Sequence, residues 1–430
     1  MATSKMATEV TEVWDKAKLM GEGVENGGTE AIKSNPMLWG VPGHLTAEEA
    51  DTFVRFKEEF LKRDQAFKDT VYSFGLEEGE VWALCRWLRA RKFVYDDVIA
   101  MIEEATKTRD EAKKTGFYPN HQDSLGCGLS LYYDQYPQLY SGVAKTGCPL
   151  FISKPGILNV DAVECITTLD GIVKFHWYIM MHDFAQRLRE QKKSNDKFNR
   201  FECCCVLDLS GLALSQLNSR TLAIIKEQAA IDSICFPETM SKMYIVNGPR
   251  FFGATWKIIK GWLDPRTASK VEVISDRKTW EKKLLENVDA HQLPSDYGGT
   301  GVATDVTLKK EVPGNIKRIN SEIIALRGHG SSTHEIAADE QVTIAIYSKS
   351  KSGAKFTVVN AHAKAKGAEP FVTDFAFKHE GGDSATDRPT NKIITPTKIQ
   401  GPVTLKVKAD TMGSRWSSAN FLVVYEVYEK

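Results

Sequence analysis

The side chains in this sequence whose type and spacing come nearest to chemistry are three consecutive cysteines, Cys203, Cys204 and Cys205. A zinc or redox site would need Cys-x-x-Cys spacing or a nearby histidine, and the run has neither. On a β-strand, Cys203 and Cys205 would share one face and Cys204 would take the other. Because buried cysteine packs as a small apolar side chain, the run predicts the core of a strand rather than a metal site.

Other partial motifs are also incomplete. His334 and Glu335 begin like the zinc-binding helix of a metalloprotease, but Ala338 stands where the second histidine would be. Gly21 and Gly23 lack the preceding strand of a dinucleotide-binding loop and predict a linker. The sequence contains neither a Gly-x-Ser-x-Gly elbow nor a Walker loop. We therefore expect a protein that is not an enzyme and that needs no metal or cofactor.

The composition is that of an ordinary globular protein. Its 430 residues predict about three domains. The 56 basic and 56 acidic residues cancel, so the basic excess of a nucleic-acid-binding protein is missing. No apolar stretch reaches the length of about 18 residues that a membrane span needs, and the N-terminus lacks the apolar core of a signal peptide. The 8 cysteines are too few for a disulfide framework, which together with the missing signal peptide predicts a cytoplasmic protein. The balanced charge predicts no nucleic-acid partner.

The first half of the chain changes character twice. Residues 1–44 are polar and glycine-rich and predict a flexible or loosely docked N-terminal arm. Residues 45–118 predict a small helical domain, because Thr46 and Glu49 have capping-box spacing and phenylalanines then recur at helical intervals. Residues 119–300 alternate long amphipathic stretches with the apolar runs PLFIS, FECCCVLDL, KMYIVN and KVEVIS. This alternation predicts an α/β domain with a mostly parallel sheet.

The last segment, 304–430, is built differently. The runs QVTIAIYS, AKFTVVNA, VTLKVKA and NFLVVYEVY alternate apolar and polar residues, and clusters of turn residues separate them. We expect these runs to form an antiparallel β-sandwich.

Three segments of the sequence resemble one protein family. LCRWLRARKF at 84–93, the continuous segment 236–275 and LPSDYGG at 293–299 are similar to the CRAL-TRIO lipid-binding family, and in particular to its phosphatidylinositol-transfer branch. The resemblance covers roughly 46–300. The segment 304–430 resembles the GOLD domain that follows in many animal members, most closely in SRWSSANFLVVYEV at 414–427. The resemblance implies a parallel sheet that forms the floor of an apolar pocket, closed by a mobile gate helix.

The resemblance places the gate helix at 251–262. The segment has an apolar face and two lysines, Lys257 and Lys260, that can reach anionic headgroups. Aromatic side chains flanked by lysine suit a membrane interface, so we expect transient membrane contact. The residues expected on the apolar face are Phe251, Phe252, Trp256, Ile259 and Trp262.

The resemblance also implies a site for an inositol-lipid headgroup. Members that bind phosphatidylinositol hold it with a glutamate, a threonine, a lysine and a basic residue from the helical lead. The chemistry is reasonable, since cations balance the phosphate charge and Glu and Thr bond inositol hydroxyls. The matching residues here are Arg91, Lys92, Glu238, Thr267 and Lys270.

The expected pocket lining departs from the phosphatidylcholine-binding pattern. Tyr140 matches the first tyrosine of that pattern, but Phe151, Cys203 and Cys205 replace three hydroxyl-bearing residues. Because these replacements weaken or remove hydrogen-bond donors, the second ligand stays open. A more apolar pocket would suit a retinoid, tocopherol, squalene or sterol.

Three hypotheses follow. The first is a cytoplasmic protein, transiently at membranes, that takes up phosphatidylinositol in exchange for a second lipid. The second is a carrier of a retinoid, tocopherol or another apolar small molecule. The third is a lipid-sensing regulatory adaptor that binds a protein partner through 304–430.

Overall fold

The computed structural model describes most of the chain, namely residues 15–21, 36–263, 265–362, 369–381, 387–413 and 418–430. Most of the predicted N-terminal arm and the first four residues of the segment 414–427 lie outside the described residues. The chain divides into two compact units. The first comprises 1–115, 181–203 and 230–241, and the second comprises 116–180, 204–229 and 242–430.

The helices alternate with strands only in the middle of the chain. In chain order they are α1 (Lys16–Met20), α2 (Ala47–Lys62), α3 (Gln65–Val71), α4 (Glu80–Ala90), α5 (Tyr95–Lys114), α6 (His121–Leu125), α7 (Leu129–Gln135), α8 (Val160–Ile166), α9 (Leu169–Tyr178), α10 (Ala185–Ser194), α11 (Ser219–Cys235), α12 (Phe252–Lys260), α13 (Pro265–Ser269), α14 (Arg277–Asn287) and α15 (Thr304–Lys309). A π-helical segment, Ile179–Phe184, joins α9 to α10.

The strands fall into one group before residue 275 and another after residue 317. In chain order they are β1 (Gln138–Val143), β2 (Pro149–Ser153), β3 (Cys203–Asp208), β4 (Met240–Val246), β5 (Val271–Ile274), β6 (Arg318–Leu326), β7 (His329–Ile336), β8 (Glu340–Ser348), β9 (Ala354–Asn360), β10 (Val372–Phe377), β11 (Thr390–Ile393), β12 (Ile399–Gln400), β13 (Val403–Thr411) and β14 (Ala419–Glu429).

Helices dominate the first unit. The predicted capping box is confirmed: Glu49 N–H donates to Thr46 Oγ1 at 3.2 Å, and Thr46 N–H donates to Glu49 Oε2 at 2.9 Å. The described part of the N-terminal arm is packed. Leu19 is fully buried, and its carbonyl accepts from the N–H groups of Gly43 and Leu45. One buried leucine therefore anchors this part of the polar stretch.

The five-stranded sheet lies in the second unit, apart from the first residues of β3 and β4. Its strand order is β1-β2-β3-β4-β5, with β1 antiparallel to β2 and the pairs β2–β3 and β4–β5 parallel. The predicted mostly parallel sheet with helices is therefore confirmed. Strand β1 was not predicted, because Ser141 and Gly142 interrupt its apolar pattern where its register with β2 shifts.

The C-terminal segment forms two antiparallel sheets around one core. Their orders are β10-β9-β13-β7 and β11-β8-β14-β6, and β12 also pairs with β8. The four predicted runs form β8, β9, β13 and β14. Short or polar strands such as β7 were not predicted, because they lack a run of alternating apolar residues. Residues that fill the core include Ile344, Phe356, Val407, Phe421 and Val423.

Strand β14 is buried on both of its faces. Its side chains at 421 and 423 point into the sandwich core, while Leu422 and Val424, each 1% exposed, belong to a buried cluster with helices α7 to α9. That cluster contains Leu131, Tyr132 and Phe175. The sandwich and helices α7 to α9 therefore share a hydrophobic core within the second unit.

Two polar contacts accompany this shared core. Arg388 donates to the carbonyls of Gln122, Asp123 and Ser124 at 3.2, 2.7 and 3.3 Å, where α6 ends. On α7, the Asp134 carboxylate accepts from the hydroxyl of Ser321 on β6 and from Gln135. Burial raises the pKa of Asp134, although these hydrogen bonds oppose the shift.

We expect Leu422→Ala to lower the free energy of unfolding by about 2–4 kcal/mol, because it leaves a cavity in the shared core. A urea titration followed by circular dichroism measures this loss. The control is Ile393→Ala, since Ile393 is exposed on β11 and its truncation should change stability by less than about 0.5 kcal/mol. Equal midpoints for the two variants would contradict a shared core.

We expect Asp134→Asn to raise the unfolding midpoint at neutral pH. A carboxyl whose folded pKa lies above its unfolded value destabilises the fold above the folded pKa, and this cost disappears as the pH falls toward about 4. The advantage of the variant should therefore shrink as the pH is lowered, as thermal unfolding at several pH values would show. The exposed Asp410→Asn is the control, and a pH-independent difference would refute the assignment.

Candidate functional site

The predicted gate helix, α12, lies on one face of the five-stranded sheet. Phe252, Trp256 and Ile259 recur at i, i+4 and i+7 and therefore point to one side of the helix. They pack in one cluster with side chains at the carboxyl ends of the central strands and at the start of β5. These partners are Leu207, Leu209, Leu212, Met243, Ile245 and Val271.

The predicted apolar face of the gate helix is divided in the structure. Phe251 is half-buried just before the helix, and Trp262 lies beyond its last residue and is 36% exposed. Ile258, which the sequence argument missed, is 54% exposed. The correction has a simple cause: the helix ends at Lys260, so the spacing that would place Trp262 beside Ile259 is lost. The helix segment therefore has a buried and an exposed apolar side.

The predicted pocket residues form a row across three neighbouring strands. Tyr140 on β1 pairs with Phe151 on β2, and Phe151 pairs with Cys205 on β3. The two aromatic ring centroids are 5.0 Å apart. Cys203, Cys205 and Leu207 alternate along β3 and share a face, and Leu207 packs with the gate-helix cluster. The row therefore lies on the same face of the sheet as Leu207, and at its β1 end Tyr140 packs with the cluster of helices α7 to α9.

The opposite face of the sheet is closed by hydrogen bonds as well as by apolar packing. Buried Trp280 on α14 donates to Asn247, and Asn287 donates to the hydroxyl of Tyr244 on β4. Tyr297, from the closing LPSDYGG segment, donates to Asp208 at the end of β3 at 2.8 Å. Although burial acts against it, hydrogen bonds from Asn247, Ser210 and Tyr297 hold the pKa of Asp208 below its ordinary value.

Two of the predicted headgroup residues, Thr267 and Lys270, lie together in the second unit. Lys270 N–H donates to the Thr267 carbonyl at 3.1 Å, in the turn that ends α13. The carbonyl of Lys270 accepts from Met243 N–H, which fixes this turn beside β4. Thr267 is half-buried and Lys270 is only 8% exposed. A lysine as buried as this one is kept in proteins where acceptors or an anion compensate its charge.

The other three predicted headgroup residues lie in the first unit, where two arginines organise the site. Arg86 and Arg89 are three residues apart and therefore point to the same side of α4. Arg86 donates to the Pro237 carbonyl at 3.5 Å, and Arg89 forms an ion pair of 2.7 Å with Glu238. Neither arginine was among the predicted site residues, although their i, i+3 spacing in a largely apolar helix was a usable signal.

Arg91 and Lys92 follow the end of α4. Arg91 is half-buried and donates to the carbonyl of Ala90 at 3.2 Å, and Lys92 is exposed. Lys92 has φ of 51° and Glu238 has φ of 59°, both in the left-handed region that side chains other than glycine seldom adopt. Two of the five predicted headgroup residues therefore have a backbone conformation that their surroundings must stabilise.

The ion pair of Glu238 is part of a longer series of alternating charges. Arg89 also lies 3.8 Å from Glu202, and Glu202 accepts from Arg200 at 2.5 Å. Arg200 in turn donates to the carbonyl of Met37 at 2.6 Å. Burial lowers the pKa of Arg89, and the carboxylates of Glu238 and Glu202 act against this shift.

Two kinds of feature are absent from the described ranges, a metal site and a membrane-spanning helix. No group of three or more His, Cys, Asp or Glu residues within them could hold a metal ion. None of the helices that these ranges contain is both long enough and apolar enough to span a bilayer.

The comparisons with known proteins agree with this geometry. The family model for the CRAL/TRIO domain matches residues 133–299. A CRAL-TRIO domain-containing protein of Saccharomyces cerevisiae is 30% identical over 275 residues, which are 63% of this chain and 84% of the relative. The SEC14 cytosolic factor of Eremothecium gossypii is 31% identical over 61% of this chain and 80% of its own length.

A plant relative matches a shorter part. The phosphatidylinositol/phosphatidylcholine transfer protein SFH4 of Arabidopsis thaliana is 32% identical over 182 residues, 40% of this chain and 28% of its own length. The two fungal relatives are each at least 30% identical to this chain, which spans four-fifths or more of their length. These matches show that the chain belongs to the CRAL-TRIO family.

Proposed function

We propose that this protein binds phosphatidylinositol in an apolar pocket beneath the gate helix and exchanges it for a second lipid at a membrane. The proposal has support from the name of the Arabidopsis relative, a phosphatidylinositol/phosphatidylcholine transfer protein. It also includes a cytoplasmic location with transient membrane contact and a binding role rather than an enzymatic one. The Eremothecium relative is called a cytosolic factor, in agreement with that location.

The observation that carries the proposal is the gate helix with apolar residues on two sides. Phe252, Trp256 and Ile259 pack on the sheet, while Ile258 and Trp262 are exposed. An exposed isoleucine and tryptophan beside lysines suit insertion into the boundary between headgroups and acyl chains. When the exposed side enters the membrane, the buried side can leave the sheet and acyl chains can take its place.

For the inositol-lipid headgroup, we propose the five residues that the family resemblance assigned, three in the first unit and two in the second. Lys270 and Thr267 in the second unit would bind the phosphate and a hydroxyl, and Glu238 in the first unit would accept from inositol hydroxyls. Arg91 and Lys92 would add positive charge. Buried Lys270 is the strongest candidate, because an ammonium group in a site of low water content forms a strong charge-assisted hydrogen bond with a phosphate.

The second ligand is an apolar lipid in our alternative proposal. The row of Tyr140, Phe151 and Cys205 across the sheet offers one phenol hydroxyl beside a phenyl ring and a thiol. A thiol is a weak donor, so the row gives little hydrogen bonding to a choline phosphate. A retinoid, tocopherol or sterol would fit such a surface, and a carrier of that ligand alone is the rival function.

We expect Lys270→Ala to lose at least tenfold in phosphatidylinositol uptake, because one charge-assisted hydrogen bond to phosphate contributes about 1.5–3 kcal/mol. Uptake is measured by native mass spectrometry after incubation with vesicles of phosphatidylcholine and phosphatidylinositol. The control is Lys278→Ala, since Lys278 is exposed on α14. Unchanged uptake by Lys270→Ala would eliminate the headgroup proposal.

We expect Ile258→Ala and Trp262→Ala each to slow lipid exchange between vesicles by roughly tenfold, as partial burial of such a side chain in the interface gives about 1.4 kcal/mol. The measurement is transfer of fluorescent phosphatidylinositol from donor to acceptor vesicles. Val302→Ala removes an equally exposed apolar side chain outside the gate segment and should transfer at the normal rate. If all three variants behaved alike, the gate helix would not be the membrane contact.

A further inference from the structure

The buried ion pair between Arg89 and Glu238 supports a role that the family resemblance did not assign. Arg89 Nη2 lies 2.7 Å from Glu238 Oε2, and the two side chains are 5% and 7% exposed. We propose that Arg89 is a positioning residue for inositol-lipid binding: its bond to Glu238 holds the carboxylate where it accepts hydrogen bonds from the headgroup hydroxyls. This inference rests on the function proposed above.

The side chain of Arg89 is itself held on several sides. A Cβ atom at position 40 would stand 2.6 Å from Arg89 Cγ, so the aliphatic stem lies directly against Gly40. Only glycine allows this close approach. At the other end of the side chain, Nη2 is shared between Glu238 at 2.7 Å and Glu202 at 3.8 Å. Arg89 is therefore a fixed anchor, which a residue that positions another must be.

The backbone conformation of Glu238 explains why its side chain needs an anchor. Its φ of 59° directs the side chain differently from an extended or helical residue, and a glutamate pays a conformational cost to adopt it. Arg86 holds the preceding carbonyl, of Pro237, at 3.5 Å. Arg89 thus fixes the carboxylate of Glu238, while Arg86, whose main partner is Glu78 at 2.6 Å, reaches the carbonyl before Glu238 from the same helix face.

The ion pair between Arg89 and Glu238 also neutralises a carboxylate that would repel the phosphate of the lipid. An inositol lipid has an anionic phosphate, and a buried carboxylate without a counter-charge would repel it. Because Arg89 neutralises Glu238, the carboxylate can accept from hydroxyls without opposing the phosphate. Removing Arg89 should therefore weaken binding of the inositol lipid and leave binding of a lipid without inositol hydroxyls intact.

A double-mutant cycle on the full chain tests this role. The variants are Arg89→Gln, Arg89→Lys, Glu238→Gln and the double variant Arg89→Gln/Glu238→Gln, each incubated with vesicles of phosphatidylcholine and phosphatidylinositol supplemented with tocopherol. Native mass spectrometry then gives the bound fractions of phosphatidylinositol and of tocopherol. We expect Arg89→Gln to lose roughly tenfold in phosphatidylinositol while tocopherol uptake is kept, and Arg89→Lys to recover most of the loss because the ion pair is retained.

The decisive comparison is between Glu238→Gln and the double variant. If Arg89 acts through Glu238, both should bind the same amount of phosphatidylinositol, because the two losses are not additive. This comparison uses only Glu238→Gln and the double variant, so it stands even where the single variant Arg89→Gln does not fold. A further loss in the double variant, or an equal loss of both lipids in the Arg89 variants, would overturn the positioning role in favour of a structural one.

Two controls separate this inference from the function on which it rests. Arg109→Gln removes another buried arginine of the first unit, which contacts Met181 on the π-helical segment, and should lower stability without changing the ratio of the two lipids. Lys270→Ala tests the headgroup proposal itself. Loss of phosphatidylinositol in Lys270→Ala with normal uptake in Arg89→Gln would overturn only the role of Arg89, whereas unchanged uptake in Lys270→Ala would remove the headgroup proposal.

Discussion

The apolar contact between the gate helix and the five-stranded sheet is the interaction on which the proposed exchange depends. The opposite face of the sheet is closed by directional bonds, such as those from Trp280 to Asn247 and from Tyr297 to Asp208, and these cannot be exchanged for an acyl chain without loss. On the gate side, Phe252, Trp256 and Ile259 pack in a cluster with apolar side chains of the sheet and of the loop after β3. Because hydrophobic burial is non-directional, a lipid chain can replace the helix on this face at small net cost.

The C-terminal sandwich contributes to the same domain rather than standing apart from it. Leu422 and Val424 on β14 share a buried cluster with helices α7 to α9. A strand buried on both faces has to be apolar almost throughout, which accounts for the run NFLVVYEVY. A regulatory adaptor acting through 304–430 would therefore have to bind its partner with surfaces other than this sheet face.

Periodicity and resemblance together predicted the helical lead, the mostly parallel sheet and the antiparallel sandwich. They could not predict β1, whose Ser141 and Gly142 break the apolar pattern, or the end of the gate helix at Lys260, which moves Trp262 off the buried face. The ion pair between Arg89 and Glu238 joins residues 149 positions apart. Spacing along the chain contains no information on such a contact, so only the three-dimensional structure could reveal it.

The most direct test of the exchange mechanism is native mass spectrometry of the full chain after incubation with mixed-lipid vesicles supplemented with retinal and tocopherol. We expect one phosphatidylinositol per chain, together with a second population in which another apolar ligand has replaced it. An adduct of retinal or tocopherol without any phosphatidylinositol would contradict the exchange mechanism and would identify the protein as a carrier of that ligand.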